Sequence, residues 1–126
     1  MSFCIVGILV SSYGFPRGVP GFVPGPTLLY PTSEHIKLSG KDDLEFRWER
    51  TDLIETDHFI FKLYKGYNMS EPGMVVRIDF GVDTYPIKVS VQKLEINQVY
   101  TWSLQQVLLG GLKSDRSFST FKITEK

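Results

Sequence analysis

Alternation of apolar and polar positions is the dominant pattern of this chain. From Tyr100 the apolar residues recur at every second position as far as Leu104, which is the period of a β-strand with one buried face. The same period occurs in residues 44–48, 59–63 and 87–91, and strand-forming residues also fill 74–80 and 118–123. No window repeats apolar residues with helical spacing over three turns. The pattern therefore predicts an all-β domain.

Turn residues separate these predicted strands. Residues 66–73 contain two glycines, an asparagine and a proline and predict a loop, and Gly81 to Asp83 predicts a turn. Gly110-Gly111 supplies the positive φ angles of a tight hairpin before the last strand. Strands joined in this way predict an all-β fold of two antiparallel sheets packed as a β-sandwich, with a small barrel as the alternative.

The predicted core consists of the apolar residues that share the inward-facing positions of these strands. They are Phe46, Trp48, Phe59, Phe61, Ile87, Val89, Leu94, Tyr100, Trp102 and Leu104. Burial of side chains of this size contributes roughly 1.5–3 kcal/mol each before the cost of chain entropy. A single domain of this length can hold one such core.

The spacing of the aromatic residues resembles that of fibronectin type III domains, a branch of the immunoglobulin-like sandwiches. The matching elements are an apolar-x-apolar-x-Trp strand, an aromatic strand, a leucine six residues before a tyrosine, and a late glycine turn followed by serine. These elements are Leu44-x-Phe46-x-Trp48, Phe59-x-Phe61-x-Leu63, Leu94 with Tyr100, Trp102 and Leu104, and Gly110-Gly111 with Ser114. The resemblance covers residues 28–123, and we assign the domain to residues 28–126.

The resemblance implies a fold detail and a role. Tyr100 should be a corner tyrosine whose hydroxyl bonds to backbone a few residues upstream. The implied role is a non-catalytic interaction or spacer module that lies outside the cytoplasm, secreted or in the cell envelope, and binds protein or envelope partners through loops and strand edges. One alternative is a carbohydrate-binding module on the same sandwich, with Tyr64, Tyr67 and Tyr85 as candidate aromatics.

The first 27 residues differ from the rest of the chain. Residues 1–14 contain the unbroken apolar run from Phe3 to Val10, and small residues at Ser12 and Gly14 are typical of an export-signal cleavage site, although no Lys or Arg precedes the run. The run alternatively forms an extra β-strand, which could be donated in assembly by strand addition. Residues 15–27 alternate proline with glycine and predict an extended linker or a strap over the domain.

Composition narrows the classes of partner. The 126 residues include 14 basic and 14 acidic side chains, so the net charge is zero and no basic patch marks a nucleic-acid-binding protein. Cys4 is the one cysteine, which excludes an internal disulfide and a multi-cysteine zinc site. No apolar stretch approaches the roughly 20 residues of a membrane-spanning helix.

The residues that could carry chemistry are isolated from one another in the sequence. His35 and His58 lack the short spacing of metal ligands, and Cys4 lies in the apolar run without a basic neighbour. Asp42-Asp43 is typical of a turn before a strand, and the Asp79–Asp83 pair lacks the ligand spacing of a calcium loop. We therefore predict no enzyme activity, no catalytic or metal site and no cofactor. Asn68-Met69-Ser70 has the form of a glycosylation acceptor.

Overall fold

The computed structural model of the chain describes residues 23–51 and 53–126. The predicted leader of residues 1–14, with Cys4 and the alternative strand from Phe3 to Val10, lies outside the described residues. The same is true of residues 15–22 of the predicted linker.

Eight β-strands account for the regular structure of the described chain. They are β1 (Leu28–Tyr30), β2 (Glu34–Lys37), β3 (Asp43–Trp48), β4 (Thr56–Lys65), β5 (Met74–Phe80), β6 (Ile87–Ser90), β7 (Val99–Leu108) and β8 (Ser117–Glu125). Three short 3-10 turns occur at Leu53–Glu55, Glu71–Gly73 and Val91–Lys93. No α-helix forms in the described residues, so none there is long and apolar enough to cross a membrane.

The strands form two sheets, which confirms the predicted β-sandwich. The smaller sheet has the order β1-β3-β6, and the larger has the order β2-β8-β7-β4-β5. All pairings are antiparallel except that of β2 with β8, which is parallel, so the larger sheet is mixed. This difference from the prediction arises because the chain leaves β1 in the smaller sheet, turns at residues 31–33, and joins the edge of the other sheet beside β8.

The predicted core is confirmed, because all ten of its residues are buried between the two sheets. Phe46 lies at its centre and makes edge-to-face contacts with Phe61 at 4.9 Å and Trp102 at 5.1 Å between ring centroids. Trp48 packs at one end against Phe80 at 5.5 Å and against Tyr85 at 4.8 Å. Edge-to-face geometry places the positive ring edge of one aromatic against the negative face of the other.

The two buried indoles differ in their polar contacts. The indole N–H of Trp102 donates to the carbonyl oxygen of Pro31 at 2.8 Å, and this bond ties β7 to the turn between β1 and β2. The indole nitrogen of Trp48 has no hydrogen-bond acceptor among the described residues. Both side chains therefore contribute apolar burial, but Trp102 alone adds this long-range hydrogen bond.

Tyr100 forms the predicted corner. Its hydroxyl accepts a hydrogen bond from the backbone N–H of Glu95, five residues upstream, at 2.8 Å. Burial raises the pKa of the Tyr100 phenol, while the hydrogen bond from Glu95 opposes that rise. The contact fixes the connection between β6 and β7 to the start of β7.

Candidate functional site

The connections between strands gather at two ends of the sandwich because successive strands reverse direction. One end, which we call the loop pole, comprises residues 49–51, 53–55, 81–86 and 109–116. Its segments are bonded to one another: Leu109 N donates to Glu55 O at 2.9 Å, and Arg50 Nη2 donates to Val82 O at 2.9 Å. The loop pole is therefore a connected surface with defined geometry.

Three apolar side chains project from the loop pole into solvent. Ile54 is 92% exposed, Leu109 is 67% exposed and Leu112 is 44% exposed. We call these three residues the apolar crest. Since Leu109 bonds directly to Glu55, the residue after Ile54, the two loops that carry the crest are neighbours. Single exposed apolar residues are ordinary, but a group on adjoining loops is typical of an interaction site.

Local backbone structure explains why the crest is exposed. Leu53 packs against the core, so Ile54 points away from the core within the same short helical turn. Gly111 has φ +91°, and the turn is closed by Gly111 N to Leu108 O and by Leu108 N to Leu112 O, both at 2.8 Å. Leu109 and Leu112 flank this turn at the tip of the connection, and both side chains are exposed.

A cleft of about 330 Å³ lies beside the apolar crest. Residues 23–27 form one wall, and Thr51, Glu55, Gln106 and Leu108 line the rest. The side chain of Gln106 is held by Thr56, to which its amide nitrogen donates, and the Gln106 backbone N–H donates to Ser114 Oγ at 2.9 Å. These bonds give the cleft a polar, preformed floor next to an apolar rim.

Residues 23–27, the last part of the predicted linker, are bonded to the sandwich. Asp115 N donates to Val23 O at 2.9 Å, and Glu49 N donates to Thr27 O at 2.8 Å. The hydroxyl of Ser117 donates to Pro26 O at 2.5 Å. This part of the chain therefore acts as a strap along the loop pole.

The three candidate tyrosines for glycan binding are separated. Tyr64 is buried, and Tyr85 is half-buried against Trp48 with the guanidinium of Arg50 4.9 Å above its ring. Tyr67 is 72% exposed, but it lies in the β4–β5 loop, at the end opposite the loop pole. The ten residues of β4 span about 33 Å between the two ends, so these tyrosines share no planar surface.

The two histidines are also far apart. His35 lies on β2 and His58 on β4, with β8 and β7 between them, which places them about 14 Å apart across the strands. The register also offsets them along the strands by about 26 Å, because His35 aligns through Lys122 with Val99 of β7 and His58 aligns with Val107. His58 Nδ1 lies 2.6 Å from Asp57 Oδ2. Within residues 23–51 and 53–126, no group of three His, Cys, Asp or Glu residues could hold a metal ion.

The acidic pairs have structural contacts. Asp42 precedes β3, and its carbonyl oxygen accepts a hydrogen bond from Val91 N at 3.0 Å. Asp79 on β5 accepts from Arg77, and this bond lowers the pKa of the Asp79 carboxyl. Asp83 lies in the turn after β5 and is exposed. The structure therefore does not bring these carboxylates together.

Asn68 and Ser70 are both exposed in the β4–β5 loop, at the end opposite the loop pole. Ser70 precedes the 3-10 turn at Glu71–Gly73, and its side chain makes no capping hydrogen bond. The acceptor sequence is therefore accessible on the surface.

A second concavity, of about 490 Å³, lies against the smaller sheet. Its charged lining residues are balanced in sign: Lys41, Arg47 and Lys88 are basic, and Asp42, Asp43 and Glu45 are acidic. Arg47 and Glu45 pair with each other at 2.5 Å. This groove therefore has no net charge that would select an ionic ligand.

Comparison with known proteins identified no relative of this chain. No model of a protein family matches the chain, and a search of the curated proteins finds no match to it. The geometry of the loop pole is therefore the observation on which a function can be argued.

The sequence pattern did not single out Ile54, Leu109 and Leu112. Leu109 and Leu112 flank the predicted turn at Gly110-Gly111, so an apolar residue on each side of a turn was the available signal there. Ile54 follows Leu53 in the segment between two predicted strands and gave no such signal. Spatial adjacency of the two loops depends on the pairing of β4 with β7, which a local pattern does not specify.

Proposed function

We propose that residues 28–126 form a non-catalytic interaction module of the fibronectin type III kind, which binds a protein partner through the loop pole. The observation that carries the proposal is the apolar crest, whose three side chains are exposed on two bonded loops. Function on sandwich domains is commonly carried by loops that a rigid scaffold positions.

Two features support the family assignment within this proposal. A sheet of three strands packs on a sheet of five, and the aromatic residues that prompted the resemblance occupy the core between them. The hydroxyl of Tyr100 makes the corner contact that the resemblance implies. The proposed location outside the cytoplasm is supported by the apolar run and the cleavage pattern of residues 1–14.

The chemistry of the loop pole favours a protein with an apolar anchor. Complete burial of one aliphatic crest side chain contributes roughly 1.5–3 kcal/mol, and the adjoining polar cleft can orient a peptide group.

Carbohydrate binding is the second candidate, with exposed Tyr67 as its available aromatic. The separation of Tyr67 from Tyr64 and Tyr85 favours the loop pole over this alternative.

A capture experiment tests the loop pole. The purified full chain is immobilised, exposed to extracellular and envelope protein fractions of the source organism, and the retained proteins are quantified by mass spectrometry. We expect the double variant Ile54→Ser with Leu109→Ser to retain a specific partner at least about tenfold less, because two buried anchors together contribute more than 1.4 kcal/mol.

Ile96→Ser is the matched control, because Ile96 is 51% exposed but lies in the β6–β7 connection at the other end of the sandwich. This variant should bind like the unmodified chain. Equal retention by the crest variant and the Ile96 variant would contradict the proposal. A glycan array run with Tyr67→Ala tests the carbohydrate alternative.

A further inference from the structure

The outer edge of β5 is a second surface with defined chemistry. In the larger sheet β5 is the last strand of the order and pairs with β4 on one side. Arg77 and Asp79 project from it into solvent, with side-chain exposures of 50% and 47%, and Arg77 Nε lies 3.0 Å from Asp79 Oδ1. An edge strand presents unpaired backbone groups that can bind another strand.

The register of the sheet shows which backbone groups face this edge. Gly66 N donates to Val99 O at 2.7 Å, so the backbone groups of Gly66 face β7. Because this direction alternates from one residue to the next along β4, the backbone groups of Phe61 and Leu63 face the other neighbour, β5. Their register partners on β5, Ile78 and Val76, therefore face back toward β4. Arg77 and Asp79 have the opposite parity, so their N–H and C=O groups point to the edge of β5 that no strand of the described residues covers.

We infer that β5 is a self-association edge, on which a second copy of this chain pairs antiparallel about a two-fold axis at Ile78. In that register Arg77 of each copy lies opposite Asp79 of the other, and the two pairs exchange about four backbone hydrogen bonds. The intrachain ion pair thereby becomes a four-membered network of alternating charge across the interface.

Charge and parity select this register over its neighbours. An axis at Arg77 would place the two Arg77 side chains opposite each other, and an axis at Asp79 would do the same with the two carboxylates. Like charges directly opposite destabilise a strand pair. A shift of the register between the two copies by one residue would place edge-facing backbone groups opposite groups that already bond to β4. It would also place the outward side chains of one β5 strand opposite the inward side chains of the other.

The inner face of the edge is compatible with the same pairing. Val76 and Ile78 are half-buried and pack against the core from its margin. The register places Val76 opposite Phe80 of the second copy and Ile78 opposite its own counterpart. Association would therefore cover apolar surface that one sandwich leaves partly open.

Charged residues on edge strands also prevent association, and the two roles differ in a measurable way. Protection requires only charge, whereas the inferred pairing requires opposite charges in a particular order. The pairing involves five residues per copy, 76–80, because β5 ends at Phe80. This contact is smaller than a standard interface of about 1,200–2,000 Å², so we expect weak association at micromolar or higher concentration.

Sedimentation equilibrium of the full chain, from about 1 µM to 1 mM, tests the inference. We expect the unmodified chain to dimerise, and Arg77→Asp and Asp79→Arg each to remain monomeric, because each places two like-charged pairs at the interface. An equimolar mixture of the two variants should recover the dimer, since every Asp then faces an Arg. The double variant, with both substitutions in one chain, should also dimerise.

Lys88→Asp is the control, because Lys88 is an exposed residue of β6, the edge strand of the other sheet. It should leave the dimer unchanged, and circular dichroism verifies that every variant is folded. A monomeric unmodified chain at 1 mM would overturn the inference, and so would a mixture that fails to associate. The outcome is independent of the loop pole, whose partner binding is measured separately.

Discussion

The two tryptophans provide a matched comparison at the scale of single residues. Both are about 99% or more buried, but Trp102 donates to Pro31 O and Trp48 has no acceptor among the described residues. We expect Trp102→Phe to lower the free energy of unfolding by about 1–3 kcal/mol more than Trp48→Phe, because it leaves the Pro31 carbonyl without its donor. Urea titration of both variants measures the difference, and equal losses would contradict it.

Tyr100 supports a second prediction at this scale. Tyr100→Phe removes the acceptor of the Glu95 N–H while keeping the ring, so the free energy of unfolding should fall by about 1 kcal/mol or more. Tyr67→Phe is the control, because Tyr67 is 72% exposed. Removal of its hydroxyl should change the free energy of unfolding by less than about 0.5 kcal/mol. An unchanged urea midpoint for Tyr100→Phe would argue against the corner contact.

The raised pKa of Tyr100 gives the same variant a pH signature. A group whose pKa is higher in the folded state keeps its full stabilising effect below the unfolded pKa and loses it as the pH rises above that value. Stability of the unmodified chain should therefore decline above the ordinary tyrosine pKa of 10.0. Tyr100→Phe should decline less steeply there; Tyr30, whose pKa is also raised, accounts for part of the remaining decline.

Single residues also show how far a local pattern predicts burial. Two-residue periodicity predicted the inward facing of nine of the ten core residues, and Leu94 was selected by its spacing before Tyr100; all ten are buried. The same periodicity placed Tyr64 on the opposite face, yet Tyr64 is 1% exposed. Because β4 is flanked by β5 and β7, the outward side chains of β4 lie between those of two neighbours, and sequence spacing contains no information about that cover.

At the scale of elements, the strap of residues 23–27 depends on close approach at Gly25. A Cβ atom built there would lie 2.4 Å from Ser117 Oγ and 2.7 Å from Asp115 O. The second atom is backbone and cannot rotate away. We expect Gly25→Ala to displace the strap and lower the free energy of unfolding by about 1–3 kcal/mol, as overpacking does elsewhere.

Gly110→Ala is the matched control for the strap. Nothing lies within 4 Å of a Cβ at Gly110, so this substitution should change stability by less than about 0.5 kcal/mol. Hydrogen exchange localises the effect: the Asp115 amide, which donates to Val23 O, should lose protection in Gly25→Ala. Retained protection at Asp115 would show that the strap accommodates the added methyl group.

Strands β3 to β8 were predictable from the sequence, and β1 and β2 were not. Strands β3 to β8 contain enough alternating or strand-forming residues to be read locally, and each appears within the predicted ranges or extends them. Strands β1 and β2 have three and four residues, and Pro31 lies between them. This segment is therefore too short and too interrupted to show the two-residue alternation of apolar and polar side chains. Their roles depend on partners distant in the sequence, β3 for β1 and β8 for β2.

At the scale of the whole molecule, the candidate surfaces lie in distinct places. The apolar crest lies at one end, the acceptor sequence at Asn68 lies at the other, and Arg77 with Asp79 lie along a lateral edge. With zero net charge, the chain as a whole exerts no net attraction on a charged partner. Contact chemistry at short range therefore determines which surface is used.

The parallel pairing of β2 with β8 has a mechanical consequence. Traction applied through the chain before β2 and after β8 pulls these two strands in opposite directions along their length, so the load falls on all of their hydrogen bonds at once in shear. An antiparallel neighbour in the same position would open one bond at a time, like a zipper. We therefore expect the pairing of β2 with β8 to resist tension applied across these two strands more than an antiparallel pairing would.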